Sequence, residues 1–472
     1  MPKTRRLARA VIGLCCAAWG AAASALDDPA ARASVTRLDN GLVVVALEDP
    51  STPVVSFQMW VKVGSRDEAG YTGLAHLFEH MMFNGSKHLG PEQHADLISA
   101  RGGTVNAYTA NDQTVYFDDV TRESLPLVID LEHERLANLD ITAKTLDRER
   151  QVVLEERRMR SEDVPVGRAY EALFALLWQA LPYRTPTIGW RSDVEKATVE
   201  VCRKFFATYY APNNIVVAIA GDFDSADALA RIRRTLGKLK PSEAIPRNPT
   251  EEPPQRGERR AIVHLDVHSP LFAAAWHAPA SGSPDAEALD VLSVILTDGR
   301  SSRLYRSLVH DAEVALSASG TYWEFNDTGS FVAFASVRPG VRIADVERRF
   351  FAEVDRLRRE PVRESELETA KRQIEVSLVN ALTTSHALAD RIGQDLTTFG
   401  RIRPLDERLA RIRAVSAADV QRVARTYLVD DQRSVVQVVP PVVPPPAEPA
   451  RAKGAKGADK NADKNADKKG GT

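Results

Sequence analysis

Cysteine is nearly missing from this chain, with three in 472 residues. Two of them, Cys15 and Cys16, lie in the first 25 residues, which read as a secretory leader. Lys3, Arg5, Arg6 and Arg9 precede the apolar run 10–22, and Ala23-Ser24-Ala25 forms a small-residue cleavage site. Removing the leader leaves Cys202 alone, which excludes an intrachain disulfide even in an oxidising compartment. Stability must therefore come from core burial. Long apolar runs are missing too: past the leader, none is long enough to cross a bilayer as a helix. The expected mature chain starts near Leu26, has no stable membrane span and is periplasmic or secreted. A basic surplus is also absent, since residues 26–450 carry 51 basic and 61 acidic side chains. That balance excludes a nucleic-acid-binding body.

What the chain does have is His76-Leu77-Phe78-Glu79-His80. Histidines at i and i+4 project from one helical face, close enough to grip a single zinc ion. Glu79 shares that face and reaches a water in the metal's open position. This H-x-x-E-H order is that of inverted zincins, with the glutamate as general base. Glycines on both sides, in Gly70-Tyr71-Thr72-Gly73 and at Gly85, bound a short, apolar-lined helix. The motif predicts a zinc-dependent peptidase.

The chain is long enough for two cores or more. Strand-like alternation at 41–46 and 54–63 leads into the motif helix. A helix follows over 91–101, strand character over 104–118, helices over 123–139 and 142–161, and a buried strand over 214–220. Residues 26–237 read as one α+β domain and 238–258 as a proline-rich linker with little to bury. Residues 259–438 repeat the first half loosely. Laying helix 287–298 over the motif helix puts Val291, Val294 and Ile295 on His76, Glu79 and His80, so the second copy keeps the fold period without the metal ligands. The expected fold is α+β, with two homologous domains related by duplication, each a mostly antiparallel sheet packed with helices. Residues 439–472 form a Pro-rich, then Lys-rich tail too polar to fold.

The motif and its surroundings resemble the pitrilysin-like inverted zincins, in particular the branch with the mitochondrial processing peptidase, over about residues 33–437. The resemblance implies a third zinc ligand at Glu156, 76 residues beyond His80, and an orienting role for Glu149 in the pair Glu149…Glu156. Glu155 is read as solvated. It implies one Zn2+ per chain, bound by His76, His80 and Glu156, with Glu79 activating the water. Gly102–Thr109 looks like that family's substrate strand, with Asn106 and Ala107 holding peptide backbone by strand addition. The resemblance also implies an Arg/Tyr pair in the second half, but the matching positions are Val309 and Leu316. Neither can donate a hydrogen bond, so either another chain supplies the pair or the correspondence is shifted and a nearby group such as Tyr305 or Tyr322 substitutes. The expected partners are peptide substrates, short or unfolded, and a homologous subunit lacking the zinc motif (a heterodimer) or a second copy. The alternatives are a non-catalytic core or scaffold subunit and a surface-binding protein that works through its basic tail.

Overall fold

The computed structural model describes residues 28–441; the leader-like segment and all but the first three residues of the Pro- and Lys-rich tail lie outside them. The first half runs β1 Ser34–Arg37, β2 Val43–Glu48, β3 Val55–Val61, α1 Leu74–Met81, α2 Gln93–Ser99, β4 Thr104–Thr109 and β5 Thr114–Val120. It continues with α3 Leu125–Asn138, α4 Ala143–Arg157, α5 Pro165–Leu177, α6 Arg191–Lys196, α7 Val199–Tyr209, β6 Ile215–Gly221 and α8 Ser225–Arg234. The second half begins β7 Arg259–His264, β8 Leu271–Ala278, α9 Ala286–Thr297, β9 Ala315–Glu324, β10 Gly329–Val337 and α10 Ile343–Arg359. It ends with α11 Glu364–Asn380, α12 Ser385–Phe399, α13 Leu405–Ala414, α14 Ala417–Tyr427 and β11 Arg433–Val439. β11 passes the expected start of the tail by one residue.

The duplication is visible in the strand order. The first sheet reads β1-β2-β6-β3-β5-β4 and the second β7-β11-β8-β10-β9. In both, one parallel pair (β2 with β6, β7 with β11) begins a run that is otherwise antiparallel. β7, β11, β8, β10 and β9 therefore occupy the places of β2, β6, β3, β5 and β4. The helix after β8, α9, stands where α1 stands after β3. The apolar strands β3 and β6, buried at every position, lie in the interior of the first sheet, and alternating β4 lies at its edge.

Two expectations need correction, and one gains detail. The stretch 104–118 is a hairpin, because Ala110–Gln113 turns with the Ala110 amide bonded to the Gln113 carbonyl. The helix expected from Pro91 begins at Gln93, after Glu92 takes a left-handed φ of 61°. The linker is anchored: Arg247 donates to the Lys62 carbonyl, Asp67 and Asn214 (2.8–2.9 Å), and Glu252 accepts the amides of Gln179, Ala180 and Leu181 (2.7–2.9 Å) just past α5.

The two halves exchange helices. α5 of the first half covers one face of the second sheet, and α12 of the second half covers one face of the first. Leu388, Ala389, Ile392 and Leu396 of α12 pack on Val45, Leu47, Trp60, Val216 and Ala218. Gly393 permits the close approach: a Cβ there would lie 2.2 Å from Trp60 Nε1. Trp60 is fully buried and donates to Gln58 Oε1 (3.0 Å), so it cannot swing aside cheaply. Alanine would add up to about 1 kcal/mol of helix propensity, but overpacking costs about 1–3 kcal/mol. Gly393→Ala is therefore expected to lower the urea midpoint of the chain, and equilibrium denaturation checks it.

Candidate metal centre

Glycine and a buried carboxylate set the start of α1. Gly73 (φ 85°) and Gly189 (φ 78°) meet back to back, where a Cβ on either would come within 3 Å of the other's backbone. Glu68 accepts the amides of Gly73 (2.7 Å) and Ala75 (2.8 Å), satisfying two of the helix's free donors. Burial pushes the Glu68 carboxyl well above its ordinary range despite those two bonds. Thr72 adds a second tie, donating to Asp193 (2.7 Å) and accepting from the Trp190 amide (2.8 Å). Behind α1, Tyr116 donates to the Phe78 carbonyl (3.2 Å), one residue before Glu79.

α4 packs across α1 and brings the glutamates to the histidines. His80 Nε2 lies 3.1 Å from Glu156 Oε2, His76 Nε2 3.7 Å from Glu156 Oε1, and His80 Nδ1 3.5 Å from Glu149 Oε2. Ligand atoms of His76, His80 and Glu156 all fall within 4.8 Å of one another. The end of α4 is fixed by buried Arg157, which grips Glu171 through two 3.0 Å bonds and donates to the Gly189 carbonyl. Glu155 points out to solvent and pairs with Arg158, as expected.

The electrostatics divide the two imidazoles. Burial, then the charge on His80, pulls His76 down to about 4, so it is neutral and free to act as a ligand. Burial also pulls on His80, but the bonds to Glu149 and Glu156 outweigh it and lift His80 to about 9. The bond to His80 holds Glu156 below the usual carboxylate range. Glu79 is raised by burial, against an opposing 2.6 Å hydrogen bond from Thr109 Oγ1.

β4 is the free edge of its sheet, beside α1. Its residues alternate, with Thr104, Asn106 and Tyr108 exposed and Val105, Ala107 and Thr109 half-buried on the α1 side. Ala107 therefore shares a face with Glu79, whereas the Asn106 side chain lies on the other face and accepts the Ala107 amide (2.8 Å). Val309 is half-buried against the second core, and Leu316 is 50% exposed on edge strand β9. Sequence reasoning missed Thr109, Glu68 and Arg160, which pairs with Glu156. The Thr109–Glu79 contact joins positions that no local spacing relates, whereas Arg160 lies one helical turn past Glu156 and Glu68 bonds residues five and seven positions on.

A second group, His94, Asp118 and Glu132, is also close enough to hold an ion. Arg135 already binds both oxygens of Glu132, and His94 Nε2 bonds Asp118 (3.0 Å). Burial, reinforced by Arg135, pulls His94 down to about 3 and leaves it neutral, while the buried Arg135 charge pairs with Glu132 and so competes with any cation there.

Residues 43–189 match the family described as "Insulinase (Peptidase family M16)" and residues 196–374 match "Peptidase M16 inactive domain". The chain is 31% identical over 412 residues to zinc protease PqqE of Helicobacter pylori, covering 86% of this chain and 92% of that one. It is 27% identical to a probable mitochondrial-processing peptidase subunit beta of Arabidopsis thaliana, covering 86% and 78%. The crystal structure of a protease from Helicobacter pylori superposes with a TM-score of 0.84 at 30% identity, covering 87% of this chain and all of that one. A Pseudomonas fluorescens structure titled as a peptidase M16 inactive domain shares the fold at 18% identity and a TM-score of 0.79, covering 88% of this chain and all of that one. With both halves matched and the H-x-x-E-H helix inside the first match, the chain belongs to peptidase family M16, the pitrilysin-like inverted zincins.

Proposed function

We propose that this chain is the zinc-bearing subunit of an exported endopeptidase that cleaves short or unfolded peptides. The observation that carries the reading is the convergence of His76, His80 and Glu156, with Glu79 on the same helix. Two imidazoles, one already neutral, and a carboxylate make the donor set of a catalytic zinc site. Bound there, zinc would acidify a water to a pKa near 7.

The rest of the chemistry belongs to the chain. Glu79 accepts the proton at its carboxylate, which burial keeps basic and Thr109 keeps in place. Glu149 turns the His80 ring by its Nδ1 side. An extended peptide pairs with the open edge of β4, with Ala107 on the Glu79 side and Asn106 releasing the Ala107 amide. Val309 and Leu316 offer no donor, which supports a homologous partner as the source of the Arg/Tyr function. The scaffold alternative gives no reason to keep the ligand set.

The test is zinc content together with cleavage of a quenched-fluorescent peptide library, by the chain alone and with a homologous subunit. About one zinc per chain and partner-dependent cleavage support the reading. A chain that takes up no zinc overturns it.

Metal uptake has a proton signature. A ligating imidazole must be neutral, and the metal-free chain holds His80 as a cation up to about 9. Loading zinc at pH 7 is expected to release about one proton per chain from His80, besides the share given up by the zinc-acidified water. The His80 share falls away as pH rises through 9, where that ring is already neutral, leaving the proton of the zinc-acidified water, and His76 contributes none above about 4. Zinc titration in weak buffer with a pH indicator measures it.

A further inference from the structure

We infer that the metal-free half positions the candidate substrate strand, by clamping the β4–β5 hairpin at its tip and along β5. This rests on the reading of β4 as the peptide-binding edge. The clamp has three contacts, one from the β9–β10 turn and two from α12.

The first is at the tip. The β9–β10 turn of the second half meets the β4–β5 turn of the first, so the two homologous hairpins touch end to end. The Asn326 amide donates to Asp112 Oδ2 (3.1 Å), and Tyr183 donates to Asp112 Oδ1 (2.7 Å). Arg66 bridges the joint, reaching Asp112 (3.0 Å) on one side and Asp327 (2.6 Å) on the other. The second contact is one residue on, where buried Gln113 donates its Nε2 to Gln394 Oε1 of α12 (2.7 Å). The third is at the far end of β5, where His386 at the start of α12 pairs with Asp119 (3.0 Å) and its ring stands edge-on to Phe117 (4.8 Å).

β5 is thus held near both ends by α12, and among the described residues β4 has no other strand neighbour than β5. Asn106 pairs with Phe117 and Thr104 with Asp119 across that ladder, so the clamped residues of β5 lie opposite the residues expected to meet substrate. An edge strand held by a single ladder frays unless its neighbour is fixed. Fixing it matters most when the free edge must accept a further strand in register. Gln394, Asp327 and His386 act through the hairpin and are positioning residues. None touches the metal ligands.

The test uses the full chain carrying Gln394→Ala with Asp327→Ala, and as a conservative control Gln394→Glu, which keeps the acceptor for Gln113. Amide hydrogen exchange and peptide-cleavage kinetics are both read. The expected result is exchange roughly tenfold faster in residues 104–109 with β6 unchanged, restored to the parent rate in the control. KM rises with kcat and zinc content held, since the loss is in strand presentation and not in the chemistry. Unchanged exchange in β4, or equal acceleration in β4 and β6, overturns the inference. The exchange readout is independent of catalysis, so a chain that cleaves nothing sinks the peptidase reading without deciding this one.

Discussion

Glu79→Gln is expected to keep zinc bound and to lower peptide cleavage by roughly 10³-fold, within the 10²- to 10⁴-fold usual for a general base. The amide has the carboxylate's shape, and its oxygen still accepts from Thr109 Oγ1, so α1 and the ligands stay in place. What it loses is the ability to take a proton. The effect should fall on kcat and kcat/KM together, because the proton transfer belongs to the transition state and not to peptide binding. A milder variant tests the same group from the other side. The Thr109 bond lowers the Glu79 pKa against the upward push of burial, so Thr109→Val should raise it further. Glu79 is active as the carboxylate, so the acid limb of the rate profile then moves to higher pH. Zinc analysis, steady-state kinetics and a pH profile measure both variants. Full cleavage by Glu79→Gln would remove the residue from the mechanism.

Much of this site was legible because its strongest signals are local. His76, Glu79 and His80 share one helix face by spacing alone, and the duplicated fold showed in the matching order of strand and helix patterns. Glu156 needed the family resemblance, since nothing in a charged helix distinguishes it from Glu155 until α4 is laid across α1. Thr109 and the Gly73–Gly189 contact were not legible, because each depends on tertiary approach between segments whose separation carries no period. Glu68 is local, but it caps α1 from five to seven residues upstream and not from the usual capping position. The 104–118 hairpin was missed because Asn111-Asp112-Gln113 lacks the glycine that marks tight turns. Its turn is held instead by outside contacts, including Asn111 to Ser65 (3.0 Å) and Gln113 to Gln394. The exchange of α5 and α12 between halves was hidden for a related reason: an amphipathic helix shows that it has a partner, not which sheet it covers.

The chain alone is expected to cleave slowly, and a homologous subunit carrying the missing donors should raise kcat/KM by roughly 10²- to 10³-fold, the usual worth of an oxyanion donor. The two vacant positions differ in what they would tolerate. Leu316 is half exposed on an edge strand, so Leu316→Tyr adds a hydroxyl donor at little cost in stability. Val309 is half-buried against the second core, where Val309→Arg must either desolvate a charge or displace its neighbours. If the donors act between chains, Leu316→Tyr on this chain leaves the partner-dependent rate unchanged, because the zinc site it would have to serve is not its own. If they act within one chain, the same variant raises the rate of the chain alone. Kinetics of the four combinations, parent or variant with and without partner, separate these cases. A parent chain as fast alone as in company would show that Val309 and Leu316 mark no gap, and that another donor already on the chain polarises the peptide carbonyl.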